Sequence, residues 1–272
     1  METITSRKNP LVLWAASLAE KKFREREHAF IADGYKLFEE AVASQATILH
    51  VFICEDKKEQ YLQSAQEKLS SAGQGEVPIS LVSRSCFEKI SSEKAPQGIL
   101  AAIKYLDKIE NIIKIYKVKG ITTVEEKTLF LASVRDPSNL GAILRSAAAF
   151  GCQRIVMSAD CADPYSQRCV RAAMGALFRL RLTRTEDLAA AVGAYREAGR
   201  RVLAAELAPR AISLGESAFT SRDIVIIGNE GHGIPEDVSS ACDGSIFIPI
   251  SATTESLNAA VAASIFLWEM RK

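Results

Sequence analysis

The chain of 272 residues has no hydrophobic run approaching the roughly 20 residues that cross a bilayer, and its start, METITSRKNP, lacks the apolar stretch of a secretory leader. No membrane span is expected, and a soluble, cytoplasmic protein is. Its six cysteines, Cys54, Cys86, Cys152, Cys161, Cys169 and Cys242, include no C-x-x-C pair, which removes the spacing of a zinc cage and gives no sign of a disulfide framework. Free, mostly buried thiols and no bound metal are the expectation. An excess of either charge is lacking too, since 34 Lys and Arg against 33 Asp and Glu leave a formal charge of +1. No whole-protein field attracts a polyanion, so nucleic-acid binding has to come from local patches. The absence of any fixed-period repeat excludes solenoids. The absence of G-x-G-x-x-G after a strand removes the main support for a dinucleotide oxidoreductase.

Apolar residues make up 48% of the sequence and charged residues 25%, an ordinary globular balance. At roughly 150 residues per domain, the length predicts two domains. Over the first hundred residues, helical and strand patterns alternate. Leu11, Trp14, Ala15 and Leu18 recur at helical spacing, as do Tyr35, Leu37, Phe38, Ala41 and Val42. Ile48–Cys54, Ile79–Val82 and Gly98–Lys104 read as strands, with a polar helix from near Lys57 and a short one over Cys86–Ile90. A compact α/β unit over 1–107 follows. The stretch DKIENIIKIYKVKGITTVEEK mixes charges with isolated apolar residues around a glycine and reads as a linker, 108–127.

In 128–272 the strand candidates Leu129–Val134, Arg154–Ser158, Arg201–Glu206, Asp223–Gly228 and Ser245–Ile250 are separated by helices. Apolar strands alternating with helices predict a parallel sheet covered on both faces. On the last segment, Leu257, Val261, Ile265 and Trp268 share a helical stripe with Ala260 and Ser264 beside them, a pattern of small and large residues that permits close packing.

Three loops in this half share one design, a strand that ends in a polar or glycine-rich loop and leads into a helix. The first is Asp136-Pro137-Ser138-Asn139, an ordinary turn and helix cap taken alone. Arg145 follows on that helix among Ile143, Leu144, Ala147 and Ala148, where it is either a functional cation or a surface arginine with a snorkelling stem. The second, Gly228-Asn229-Glu230-Gly231-His232-Gly233, has three glycines in six residues, which permit positive φ and close approach of backbone to a ligand. His232 is read as solvent-facing. In the third, Pro249 breaks a strand before a polar loop that runs to Ser256-Leu257-Asn258. Ligands of open α/β sheets bind beyond the strands' carboxyl ends, so the three loops are expected to line one pocket.

The set D-P-x-N-x-G-x-x-x-R, G-N-E-G-x-G and I-P-x…S-L-N, in that order from Leu129 to the C-terminus, resembles the three motifs of the SpoU/TrmH methyltransferases of the SPOUT superfamily. The N-terminal half is similar to the substrate-binding domain that precedes the catalytic domain in many members, through Ser6-Arg7-Lys8-Asn9-Pro10 and Gln97-Gly98-Ile99-Leu100-Ala101. The resemblance implies a trefoil-knotted, parallel-sheet methyltransferase domain after a small α/β RNA substrate-binding domain, and a homodimer with its active site near the subunit interface. It implies S-adenosylmethionine as cofactor, held by backbone at Gly228, Ile248 and Leu257, with Gly231 and Gly233 in the same glycine loop. Asn139, Arg145, Glu230, Ser256 and Asn258 match the polar catalytic set. One departure is Arg171-Ala172-Ala173-Met174-Gly175, where many members carry a serine after the arginine.

The implied reaction is methylation of a ribose 2′-hydroxyl in RNA, most often ribosomal RNA in enzymes with this two-domain arrangement. Arg145 is either the base for that hydroxyl or a cation that grips a phosphate or ribose oxygen. Arg7, Lys8, Lys21, Lys22, Arg24 and Arg26 are candidates to grip RNA phosphates, against the reading of a solvated helix face with Glu20, Glu25 and Glu27 interleaved. A transfer-RNA 2′-O-methyltransferase and a non-catalytic RNA-binding or ribosome-assembly factor are the alternatives. Retention of every polar motif residue speaks against the second.

Overall fold

A computed structural model of the chain describes residues 1–106, 109–111, 126–216, 219–220, 222–229 and 231–271, for 109–111 the backbone only. Among them no helix is long and apolar enough to cross a membrane. The chain divides into two compact units, Met1–Leu106 with Asp163–Phe178, and Asp107–Ala162 with Arg179–Lys272.

The first unit is a five-stranded sheet in the order β1-β4-β3-β5-β2, from β1 (Thr3–Ile4), β2 (Ala29–Asp33), β3 (Ile48–Cys54), β4 (Ile79–Val82) and β5 (Ile99–Lys104). Its helices are α1 (Pro10–Ser17), α2 (Lys21–Glu27), α3 (Tyr35–Ala43), α4 (Lys58–Ser71) and α5 (Arg84–Ile90). Val12 and Ala15 of α1 and Phe87 and Ile90 of α5 bury against Ile31, Phe52, Val82 and Leu100 of the sheet. Two motifs quoted above are local folding devices here. Asn9 caps α1 by accepting from the Leu11 amide at 2.9 Å, with Pro10 preset for the first helical position. Gln97 Oε1 accepts from the Tyr35 amide at 3.1 Å, and Gly98 sits at φ +96° with any Cβ only 2.5 Å from Lys57 Cγ.

Sequence-distant residues complete this unit. The helix α7 (Gln167–Ala173) packs on β2, ends at Met174 in the left-handed region, and pairs Arg171 with Glu93. At Gly175, φ +86°, a Cβ would lie 2.6 Å from Glu40 Cγ, so glycine is required there.

The second unit is an eight-stranded sheet, β11-β13-β10-β12-β7-β8-β9-β6, in which every paired neighbour is parallel. Its strands are β6 (Ile109–Asn111), β7 (Thr128–Leu131), β8 (Arg154–Ser158), β9 (Arg181–Thr185), β10 (Arg201–Ala205), β11 (Ile212–Ser213), β12 (Asp223–Ile227) and β13 (Gly244–Phe247). Helices α6 (Pro137–Ala149), α8 (Leu188–Glu197), α9 (Glu236–Ser240) and α10 (Ala259–Met270) cover it. On the α8 side, Ala191, Val192 and Tyr195 bury against Phe130, Val156, Val202 and Ile226, and the Phe130 and Tyr195 rings meet edge-on at 5.1 Å. The sheet's central strands, β7 and β12, are buried at every residue. That is why they read in the sequence as continuous apolar runs.

Sequence patterning passes over β2 and β9. AFIAD is short and does not alternate, because both of its faces are covered. In RLTRT two arginines hide the strand, and partners in the fold account for both: Arg181 pairs with the buried Glu126, and Arg184 Nη2 donates to the Cys161 and Ala162 carbonyls at 2.8 and 3.1 Å. The three residues of β6 fall inside the expected linker, whose remainder, save Glu126 and Lys127, lies outside the described residues.

Arg24 departs from its expected role. It is 3% exposed. Its Nη2 and Nε donate to Asp163 Oδ2 at 2.6 and 3.1 Å, and Nη1 to the Leu18 and Ala19 carbonyls at 2.9 and 2.6 Å. A guanidinium so enclosed is structural and is not presented to a phosphate. Arg24→Ala is expected to cost about 3–5 kcal/mol, because it strands the Asp163 carboxylate. Arg26→Ala, on an exposed side chain, should stay within about 0.5 kcal/mol. Denaturant titration read by Trp14 fluorescence in a Trp268→Phe background checks both, and equal effects of the two substitutions would contradict the assignment.

Candidate functional site

Strands β13, β10 and β12 lie side by side and end at one edge of the second unit's sheet. Beyond their tips lies a cavity of about 550 Å³, within the range typical of small-ligand sites. Gly228 leaves β12 into it, Glu206 and Leu207 follow β10, and Ile248 follows β13. Residues of the loop before α10, among them Ser251, Thr254, Glu255, Ser256 and Leu257, complete the lining with Ala262 and Phe266 of α10. Gly228, Gly233, Ile248, Leu257 and Ser256 are thus brought together, as the sequence predicts. Gly231 is exposed and does not line the cavity.

The glycine loop is held by its own asparagine. Asn229 and Gly233 exchange backbone hydrogen bonds at 3.0 and 2.9 Å, which folds the loop back on itself. Asn229 Oδ1 accepts from the Gly231 and His232 amides at 2.9 and 3.2 Å, while Nδ2 donates to the Ser133 carbonyl at 2.9 Å, just past β7. So tight a return leaves no room at Gly228, where a Cβ would lie 2.6 Å from the Gly233 carbonyl carbon and 2.8 Å from Ile234 Cγ1. Ser133 itself takes φ +57°, and its amide donates to Ser158 Oγ at 2.9 Å. Ser158 in turn donates to Asp160. Burial raises the Asp160 carboxyl, but hydrogen bonds from Ser158, Arg135 and Ser133 outweigh it and hold it at about 2.

The first polar loop takes a different place from the one expected. Its residues do not line the cavity. Asp136 instead caps α6, accepting from the Ser138 and Asn139 amides at 2.8 and 2.9 Å, and Asn258 caps α10 in the same manner through the Ala260 and Val261 amides. The two helix N-termini are then joined, because Asn258 Nδ2 donates to Asn139 Oδ1 at 3.0 Å. About two turns further along, the Ser146 and Ser264 hydroxyls meet at 2.7 Å. Asn139 and Asn258 are therefore brought together as expected, and Ser256 precedes α10 rather than opening it.

Arg145 is exposed on α6 and makes no ion pair among the described residues. Glu230, the remaining candidate of the polar set, lies outside the described residues. His232 is exposed, as expected of a loop residue. Of the candidate phosphate-binding cations, Arg7, Lys8, Lys21, Lys22 and Arg26 are exposed, and three pair with carboxylates of their own segment: Lys21 with Glu25, Lys22 with Glu20 and Arg26 with Glu27. Among the described residues no cluster of three or more His, Cys, Asp or Glu is placed to hold a metal ion. Burial pushes the thiols of Cys152 and Cys242 up to about 12 and that of Cys54 up to about 11, so these remain protonated at neutral pH.

Sequence reasoning missed Asn229 and Glu206. The signal for Asn229 was its place as the first polar side chain after an apolar strand. Glu206 offered a weaker one, a carboxylate at a strand's last position.

Fold and cavity together define an all-parallel α/β domain with a small-ligand site at its strand tips. The chain belongs to the SpoU rRNA Methylase family, which residues 126–268 match, and residues 9–101 match the MRM3-like substrate binding domain. It is 30% identical over 271 residues to an uncharacterized tRNA/rRNA methyltransferase of Synechocystis, covering 99% of this chain and 93% of that one. It is 26% identical over 271 residues to the Bacillus subtilis 23S rRNA (guanosine(2553)-2′-O)-methyltransferase RlmP, with 100% of each chain covered. An AdoMet-bound rRNA methyltransferase from Sinorhizobium meliloti superposes with a TM-score of 0.81 at 27% identity, covering 99% of this chain and 97% of that one.

Gly228→Ala is expected to cost about 1–3 kcal/mol, because the added methyl forces the Gly233 return apart. Gly231→Ala, whose Cβ meets only Asn229 Oδ1 at 3.4 Å, should change stability by less than about 0.5 kcal/mol. Thermal unfolding of the two variants checks this, and a neutral Gly228→Ala would contradict the loop geometry.

Proposed function

We propose that this protein is a cytoplasmic S-adenosylmethionine-dependent methyltransferase that modifies a ribose 2′-hydroxyl of ribosomal RNA. The observation that carries the reading is the strand-tip cavity beside two helix N-termini that the Asn139–Asn258 bond fixes together. The cavity fits the cofactor by its chemistry. Ile227, Ile246, Ile248, Leu257 and Phe266 give apolar walls for an adenine ring and a thioether chain. Backbone groups at Gly228, Ile248 and Leu257 satisfy polar edges, and the exposed Glu255 carboxylate suits the donor's positive charge. When bound, S-adenosylmethionine supplies an electrophilic methyl group.

The chain's own residues orient the acceptor. A guanidinium holds its proton in proteins, so Arg145 serves as a cation that grips a phosphate or ribose oxygen and sets the 2′-oxygen in line with the methyl. Asn139, Ser256 and Asn258 order the bound groups around it, and Glu230 belongs to the same polar set. Arg7, Lys8, Lys21, Lys22 and Arg26 grip RNA phosphates from the N-terminal unit, each weakly and in a salt-dependent way. A ribose acceptor selects RNA over DNA, which lacks the 2′-hydroxyl.

A homodimer is part of the reading. Helix α10 is apolar on all sides, yet only Ala259, Ala260, Ala263, Phe266, Leu267 and Met270 are buried. An all-apolar helix belongs in an interior. Its other side, with Ala142 and Phe150 of the α6 segment, leaves an apolar groove of about 470 Å³ in which Val261 and Trp268 are 48% and 47% exposed. A second copy covers this face and sets Arg145, which follows Ala142 on α6 by three residues, at the border of the contact. The strand order, with β13 beyond β10 and α10 returning to β12 and α6, accords with a trefoil-knotted thread.

Labelled cofactor incubated with ribosomal RNA from cells lacking the gene should place label on ribose, as mass spectrometry of the digested nucleosides reads. Arg145→Ala should lower the rate at least about a hundredfold while cofactor affinity changes little. Label on a base, or an unimpaired Arg145→Ala, would contradict the mechanism, and no label on that ribosomal RNA, with transfer RNA from the same cells labelled in a parallel incubation, would contradict the substrate. Light scattering at micromolar concentration should give twice the chain mass, and Val261→Asp with Trp268→Glu should halve it. A wild-type monomer would refute the dimer.

A further inference from the structure

The cavity contains one feature that neither the motifs nor the mechanism uses, the carboxylate of Glu206. It follows the last residue of β10, flanked by the tips of β13 and β12, and its amide donates to the Ile246 carbonyl at 3.0 Å. The side chain is half-buried. Ser239 Oγ on α9 and Ser245 Oγ on β13 both donate to its Oε1, at 2.5 and 2.8 Å. Among the described residues Oε2 accepts nothing, and no cation pairs with the carboxylate.

A carboxylate fixed through one oxygen by two neutral hydroxyls is oriented but not neutralised. Its other oxygen is left to accept from whatever fills the cavity. We infer that Glu206 reads the ribose of the methyl donor, its Oε2 accepting from the vicinal hydroxyls of the adenosyl group. This rests on the assignment of the cavity to S-adenosylmethionine. An ionised carboxylate is acceptor-only, so it demands donors, and a vicinal diol offers two on adjacent carbons. An acid at a strand's carboxyl end, next to a glycine loop, reads ribose hydroxyls in doubly wound sheets for the same reason. Here the glycine loop at Gly228 is on the neighbouring strand, β12. The donor's ammonium group is the competing partner for an acid, and the cavity offers it a second carboxylate, the exposed Glu255.

The test is calorimetric and needs no turnover. S-adenosylhomocysteine, its 2′-deoxy and 3′-deoxy analogues and its des-amino analogue are titrated into the full chain and into Glu206→Gln. Glutamine keeps a carbonyl acceptor for Ser239 and Ser245, and unchanged thermal unfolding establishes that the variant is folded. Wild type is expected to bind S-adenosylhomocysteine at least about tenfold tighter than the deoxy analogues, as for a hydrogen bond to a charged group. Glu206→Gln should lose about that factor for S-adenosylhomocysteine and bind the deoxy analogues nearly as wild type does, so that the preference for the hydroxyls collapses.

Three outcomes overturn the inference while leaving the cavity assignment intact: a variant that binds S-adenosylhomocysteine like wild type, one that keeps the full deoxy penalty, or one whose loss follows the des-amino analogue instead. Failure of folded wild type to bind S-adenosylhomocysteine at all overturns the cavity assignment, and the inference with it.

Discussion

Parallel strands that stop together leave peptide groups beyond their last ladder bonds, and a buried or half-buried peptide group has to find a partner. In this protein β13, β10, β12 and β7 end at one edge, and side chains and loops there supply the partners. Asn229 satisfies the Ser133 carbonyl after β7 and two amides of its own loop. Asp136 and Asn258 satisfy the first amides of the two helices that start there. The cavity is what remains between these closures, apolar where Ile227, Ile246, Ile248, Leu257 and Phe266 line it. Binding geometry and sheet geometry are therefore set by the same hydrogen bonds, and substitutions at Gly228 or Asn229 disturb both.

The N-terminal unit obeys a different constraint. Its sheet mixes parallel and antiparallel pairs, and part of its cover comes from residues 163–178, far along the sequence. The buried Arg24–Asp163 pair fastens that segment. A buried ion pair is weak grounds for stability against an apolar alternative, but it penalises a wrong partner heavily. The pair thus selects which segment docks there. It also removes one cation from the set available to RNA and leaves the exposed ones, several of them already paired with carboxylates.

Much of this was legible in the sequence, and the exceptions have physical causes. Long apolar strands such as Ile48–Cys54 and Asp223–Ile227 announce themselves, because each carries a single polar residue, His50 or Asp223, in an otherwise apolar run. Arg181 and Arg184 in β9 conceal a strand, since their partners, Glu126 and the Cys161 and Ala162 carbonyls, are distant in sequence. Glycine order and helix caps marked where the three loops begin. They did not reveal that the first loop closes against the helix α10 cap rather than the cavity, which a single bond from Asn258 to Asn139 decides. On the last helix, periodicity identified an apolar stripe through Val261, Ile265 and Trp268, yet the chain's own core takes the side carrying Ala263, Phe266 and Leu267. A helix apolar all round gives periodicity nothing to choose between.

Hydrogen exchange measured with and without S-adenosylhomocysteine bears on the whole account, because it asks which backbone amides a ligand covers without assuming any chemistry. Strong slowing is predicted in peptides spanning Ile227–Ile234 and Ile246–Asn258, the two walls of the strand-tip cavity, with no change across the sheet strands Ala29–Asp33 and Ile48–Cys54 of the N-terminal unit. Unchanged exchange at both walls under saturating ligand, or protection confined to the N-terminal unit, would contradict it.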